Sequence, residues 1–293
     1  AATLSVVRLG DDERRRALDL VEYAAGDSGA ADGARPLDEA TTMALARDGL
    51  AGATFWIGHD DEESTDEGFA LLRGSSLDLV VAPRGRRLGL GTALAEAALA
   101  EAPGDVTAWS HADHPDARRL AAHFGFSAAR ELWVMERATG PVDVPAVDGV
   151  TIRGYREADA DEVLRVNAAA FAHHPEQGSM DAANLAERMA EPWFDPSGLL
   201  VADAGPPDSR LLAFHWTKQH SPELGEVYVV AVDPAAQGRG LGRAVTAAGL
   251  DHLNGLGVNR VILYVESDNA AAIATYSRLG FAHTQTHVQY SRR

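Results

Sequence analysis

Between the strand-like run EVYVVAVDP and a helix-like run that follows stands Gln237-Gly-Arg-Gly-Leu-Gly242. A strand that feeds a glycine turn and then a helix gathers free backbone N–H groups at the positive end of a helix dipole. Such a nest binds phosphate, and glycine serves where the backbone takes unusual angles or an oxygen must come close. An earlier stretch, Arg86-Arg-Leu-Gly-Leu-Gly91, repeats the layout: Gly240 lies 151 residues after Gly89, and Gly242 lies 151 after Gly91. Neither is a Walker loop, because no Gly-Lys-Ser/Thr follows. Neither completes G-x-G-x-x-G, because Leu94 and Val245 stand where the last glycine would be.

What remains is Arg/Gln-x-x-Gly-x-Gly, with VDPAAQ before the second copy and NAAAIATYSRLGF after it. This resembles the acyl-coenzyme A pyrophosphate loop of the Gcn5-related N-acetyltransferases. The resemblance implies acetyl-coenzyme A as co-substrate, up to one molecule per half, and no metal. In the second half it assigns the coenzyme to Val230, Ala231 and Val232, whose backbone N–H groups can hold a thioester oxygen. It adds loop residues Gln237, Gly238, Arg239, Gly240, Leu241, Gly242 and Arg243. It also adds Asn269, Ala270, Ala271, Ala272, Ile273 and Ala274, with Asn269 near the pantetheine end. The matching residues of the first half are Leu79, Val80, Val81, Arg87, Leu88, Gly89, Leu90, Gly91 and Thr92.

Acetyl transfer to an amine needs a neutral amine, a polarised thioester carbonyl and a proton for the leaving thiolate. An α-amine has a pKa of about 8, so a base that removes its proton helps near neutral pH. Period-2 alternation puts Glu226 on one strand face with Tyr228 and Val230, and Tyr276 falls on the helix after the last repeat strand. The family resemblance gives Glu226 the general-base role, through water, and Tyr276 the general-acid role. In the first half the 151 offset matches Glu226 to Ser75, and aligning Gly125 with Gly280 matches Tyr276 to Ala121. The first half is therefore expected to bind acetyl-coenzyme A without turning it over.

A denser likeness runs from about residue 150 to 282. NAAAFAHHPEQG, WFDPSGLL, LLAFHWTKQH, LGEVYVVAVDPAAQGRGLG and LYVESDNAAAIATYSRLGF resemble the mycothiol synthase family of actinobacteria. Those tandem acetyltransferases act on the cysteinyl amine of a cysteine–glucosamine–inositol conjugate. In the first half the likeness is mainly LDLVVAPRGRRLGLGTA. It implies substrate contacts at Glu176, Lys218, Tyr264 and Glu226, and at Glu39 from the first half. Acids and a lysine suit a substrate with one ammonium and many hydroxyls; Lys218 is the only lysine in the chain. Another small amine, a protein N-terminus, or a role as a non-catalytic acyl-coenzyme A sensor remain open alternatives. His111 and His114 lack an evident third metal ligand, and His173 and His174 are read as shaping a pocket loop.

These residues need a scaffold built twice. Each half opens with a short strand and an amphipathic helix: LSVVRL then ERRRALDLVEYAA, and VTIRGY then ADADEVLRVNAAAF. Two strands follow in each half, ATFWIG with GFALLRG and GLLVAD with RLLAFHW, the second pair a hairpin across GPPDS. Then come the strand before each loop, a helix, a strand, and a helix ending in Gly-Phe. The expected fold is α/β with a mixed sheet, as two tandem acetyltransferase domains at 1–140 and 150–293, joined by ATGPVDVPAVDGV.

The 293 residues suffice for two cores, and 46% hydrophobic with 24% charged is a soluble composition. A net charge of −17 argues against a nucleic-acid partner and favours a small cationic substrate. No apolar run approaches the roughly 20 residues of a membrane span. The lack of cysteine and of a basic-then-apolar leader fits a cytoplasmic protein. A monomer is the expected state.

Overall fold

The computed structural model describes residues 4–10, 13–174, 177–207 and 209–293. They form two compact units: the first runs to Trp133 and includes Glu266–Asp268 and Gln285–Arg293, and the second comprises Val134–Val265 and Asn269–Thr284. Among the described residues no helix is long and apolar enough to cross a membrane.

The first unit contains β1 (Leu4–Arg8), α1 (Arg14–Asp32), α2 (Glu39–Asp48), β2 (Ala53–Asp60), β3 (Thr65–Arg73) and β4 (Ser76–Val81). It continues with α3 (Leu90–Glu101), β5 (Val106–Ser110), α4 (Pro115–His123) and the start of β6 (Ser127–Ala138). Strands β1 to β4 form an antiparallel meander. Alternating side chains split its two faces. Phe55, Ile57, Phe69, Leu71 and Val80 pack on Ala17, Leu20 and Ala24 of α1, while Trp56, Ala70, Leu72 and Leu77 pack on Leu90, Leu94 and Ala98 of α3. β4 and β5 run parallel, registered at Ser76 opposite Thr107, at the start of β4. α2 breaks the expected order of elements. Asp38 caps it by accepting from Thr41 N–H, and Gly49 ends it with φ 58°.

The second unit takes the rest of β6 and adds β7 (Thr151–Gly154), α5 (Ala160–Ala170), α6 (Ala182–Met189), β8 (Leu199–Asp203), β9 (Leu211–Ser221) and β10 (Leu224–Val232). Then come α7 (Leu241–Gly255), β11 (Arg260–Glu266), α8 (Ala270–Arg278) and β12 (Ala282–Arg292), whose residues from Gln285 on belong to the first unit. β8 and β9 form the expected hairpin, Leu199 opposite Trp216 through Asp203 opposite Leu211. Val163 and Val166 of α5 pack with Phe214, Trp216, Val229 and Ala231 on one face; Leu241 and Val245 of α7 pack with Ala213, Val230 and Val232 on the other. α7 lies close to β9 because Gly249 carries no side chain: a Cβ there would stand 2.0 Å from His215 Nδ1. That His215 nitrogen instead pairs with Val245 O at 3.0 Å, and burial pushes the ring down to about 4, keeping it neutral.

Candidate functional site

The two glycine loops share one backbone form. Gly240 (φ 80°) and Gly89 (φ 98°) sit in left-handed conformations at the N-caps of α7 and α3. Two residues earlier in each loop, Gly238 has φ 80° and its counterpart Arg87 has φ 64°, so the first copy holds a non-glycine residue in strained backbone. Neither helix start is capped by a side chain, which leaves the first-turn N–H groups without intrahelical partners. Gly242 and Gly91 have a different reason to be glycine. Their φ values are not left-handed, and a Cβ on either meets only ordinary contact, 3.5 Å from Val232 Cγ2 and 3.7 Å from Val81 Cγ2 respectively. Neither backbone angle nor packing requires glycine there, so the bare surface suits a ligand that lies against the helix start, as the coenzyme pyrophosphate would.

The start of the second loop is anchored by charge. Asp233 Oδ1 accepts from Ala235 N–H at 2.9 Å, and its Oδ2 accepts from Arg165 Nη1 at 2.7 Å. Those partners hold the Asp233 carboxyl below its ordinary pKa, the Arg165 bond contributing most. In the first unit Arg86 does comparable work, forking onto Asp32 at 2.7 and 2.8 Å and donating from Nε to Val81 O.

β10 pairs in parallel with β11 only from Leu224–Arg260 to Val227–Leu263. Beyond Val227 the edge of β10 that faces away from β9 has no registered strand partner among the described residues, and Val230, Ala231 and Val232 lie there. A bulge at Tyr228 shifts the register against β9, Val227 opposing Thr217 and Val229 opposing Trp216. The bulge corrects one expectation. Glu226 does share a face with Tyr228, but not with Val230: the extra residue turns Val230 toward α7 and brings Val229 and Ala231 to the α5 side.

Glu226 is 5% exposed and directly opposes Lys218. A Cβ at Gly225 would meet Leu253 of α7, which puts Glu226 on the α5/α6 side by alternation. On that side Lys218 Nζ lies 4.5 Å from the Trp193 ring centroid and 5.1 Å from that of Tyr228. Arg188 of α6 donates to Tyr228 Oη at 2.8 Å. His220 Nε2 bonds Glu226 Oε2 at 2.5 Å. The structure thus gathers Glu226 and Lys218, as expected, and adds His220, Tyr228, Trp193 and Arg188. The hairpin register was the signal for His220: it stands two residues after Lys218, hence on the same face.

Tyr276 is half-buried on α8, its ring edge-on to Phe281 at 5.9 Å. Desolvation pushes its phenol up to about 12, so it holds its proton through the neutral range. A thiolate formed in the same dry surroundings is also destabilised, which narrows the gap between the two acids. Asn269 caps α8, its Oδ1 accepting from Ala272 N–H at 3.1 Å, and so fixes the segment from Ala270 to Ala274. Tyr264 on β11 is 43% exposed. Glu39 is exposed at the first turn of α2, in the first unit. Glu176 lies outside the described residues. His174 Nδ1 accepts from Gln177 N–H at 3.1 Å, shaping that loop as expected.

In the first unit a cavity of about 510 Å³ runs from Arg87, Gly89, Gly91 and Thr92 to His111 and Trp109. Leu79, Val80 and Val81 also line it, as does Ala121, the counterpart of Tyr276. Ser75, the counterpart of Glu226, is exposed in the turn before β4. One titrating carboxyl was not foreseen. Asp78 on β4 is pushed up to about 7 by burial and then by the Asp38 carboxylate, against a hydrogen bond from Thr41 Oγ1 at 3.3 Å. His111 Nδ1 lies 2.8 Å from His287 Nδ1. Among the described residues no group of three or more His, Cys, Asp or Glu could hold a metal ion.

Comparison with known proteins bears on this arrangement. The model of the acetyltransferase (GNAT) family matches residues 37–126 and 168–281. A mycothiol acetyltransferase of a Nocardioides species is 54% identical over 302 residues, covering 96% of this chain and 100% of that one. A mycothiol acetyltransferase of Nocardia farcinica is 44% identical over 284 residues, covering 93% of each chain. A solved GCN5-related N-acetyltransferase from Sphaerobacter thermophilus superposes with a TM-score of 0.71 at 20% identity, covering 99% of this chain and 95% of that one. A tandem GNAT protein from the clavulanic acid biosynthesis pathway gives 0.71 at 21% identity, covering 99% and 98%. At such identities the solved structures speak for the fold alone: a mixed α/β sheet fold of tandem type.

Proposed function

Because the chain belongs to the acetyltransferase (GNAT) family, and within it to the mycothiol acetyltransferases, we propose that it moves acetyl from acetyl-coenzyme A to the cysteinyl amine of a cysteine–glucosamine–inositol conjugate. That transfer completes mycothiol. The reaction centre is in the second unit. The observation that carries this is Glu226: a carboxylate nearly sealed from water, one rung before β10 and β11 part, on a strand that leads into an uncapped helix start.

In this reading the open edge of β10 and the first turn of α7 bind the coenzyme. Backbone N–H groups from Val230 to Val232 polarise the thioester carbonyl. Glu226 takes a proton from the substrate ammonium, the amine attacks, and Tyr276 supplies a proton as the thiolate leaves. Lys218 and Tyr264, both in the second unit, meet the hydroxyls and charge of the acceptor. The first unit binds a second acetyl-coenzyme A in its cavity and does not turn it over, since Ser75 and Ala121 replace the proton-handling pair. The protein works in the cytoplasm on a small molecule, as a monomer. A panel of amines tests the acceptor: the cysteinyl pseudo-disaccharide is turned over far faster than spermidine or a peptide amine, and equal rates would refute the assignment.

A further inference from the structure

Acetylation of an ammonium by a thioester releases one proton. The C–N bond forms, the C–S bond breaks, sulfur ends as a thiol and nitrogen keeps one hydrogen, so R–NH3+ and acetyl-S-CoA give the amide, CoA-SH and H+. That proton first resides on the base, and resting on the function proposed above, the base is Glu226. Its side chain is 7% exposed, so it has little water of its own to discharge into. His220 has 26% of its side chain exposed, and its Nε2 is 2.5 Å from Glu226 Oε2. Of the charged neighbours on this face, Lys218 opposite Glu226 has its ammonium over the rings of Trp193 and Tyr228, and Arg188 donates to Tyr228 Oη. We propose that His220 is the proton exit of the reaction centre. The protonated carboxyl gives its proton to Nε2 while Nδ1 releases one to water, and exchange with solvent returns the ring to its starting tautomer. The ring also orients the protonated carboxyl, which donates to Nε2, so a relay and a purely positioning role must be told apart.

The test compares His220→Ala and His220→Gln with the wild-type chain under saturating acetyl-coenzyme A and acceptor, with thermal unfolding to check the fold. In dilute buffer the kcat of both variants falls about a hundredfold, the lower end of what a lost proton-transfer partner costs, with KM for acetyl-coenzyme A unchanged. Added imidazole restores the kcat of His220→Ala in a saturable way. Unchanged kcat in dilute buffer overturns the relay, and so does a loss that imidazole does not restore, which would leave His220 a positioning residue only. Glu226→Gln separates this from the underlying reading. If that variant keeps full activity, the base assignment fails; if it is inactive while both His220 variants match wild type, the relay alone fails.

Discussion

Gly242 lies against Val232 with room for a methyl: an added Cβ would stand 3.5 Å from Val232 Cγ2. Gly240, two residues earlier, is held at φ 80°. The two glycines of one loop therefore differ: backbone conformation asks for glycine at 240, whereas neither angle nor packing asks for it at 242. Gly240→Ala is expected to lose about 1 kcal/mol of stability from the left-handed angle. Gly242→Ala, in the first turn of a helix, should unfold at the same temperature or above, yet raise KM for acetyl-coenzyme A. Thermal unfolding and steady-state kinetics on the two variants check the contrast.

At Tyr276 desolvation sets the chemistry. With its phenol pushed up to about 12, ionisation of this group does not limit turnover at pH 10, where an ordinary tyrosine would be half ionised. A difference titration at 295 nm between wild type and Tyr276→Phe shows the missing step near pH 12. Because the folded pKa lies above the unfolded one, the phenol begins to weaken the fold only as pH rises past 10.

Asp78 makes a prediction about stability. Its carboxyl is raised to about 7 in the fold, against about 3.9 unfolded. The folded state binds the extra proton between those values, so this group lowers stability as pH rises from about 4 to 7, and the whole cost is present above 7. Asp78→Asn should therefore unfold at a higher temperature than wild type at pH 8, with the gap closing at pH 4. Calorimetry at both pH values measures it.

Much of this was legible in the sequence because it repeats. The offset between Gly89 and Gly240 reappears in the structure as matching left-handed N-caps and matching contacts at Val81 and Val232. Glu226 and Lys218 flank one tight turn and meet in the hairpin. What stayed hidden depends on single residues that shift a pattern. The bulge at Tyr228 turned Val230 to the other face, and alternation cannot register an extra residue. α2 was missed although Asp38 and Gly49 mark its ends, and so was α6, capped by Asp181, which holds the same place between the first helix and second strand of the other unit. Asp78 looks like an ordinary strand carboxylate until Asp38 and burial are brought to it by folding. His220 was overlooked because its importance lies in its partner, and only the register of β9 against β10 reveals that.

The account turns on Glu226 and Tyr276 as the one proton-handling pair beside one acyl donor. The direct measurement is turnover of the cysteinyl–glucosaminyl–inositol conjugate by Glu226→Gln combined with Tyr276→Phe, alongside acetyl-coenzyme A binding by calorimetry. The expected result is a fall in kcat of at least about a thousandfold with coenzyme still bound by the chain. A double variant that acetylates the conjugate at close to the wild-type rate would contradict it, because the chemistry would then belong to other residues.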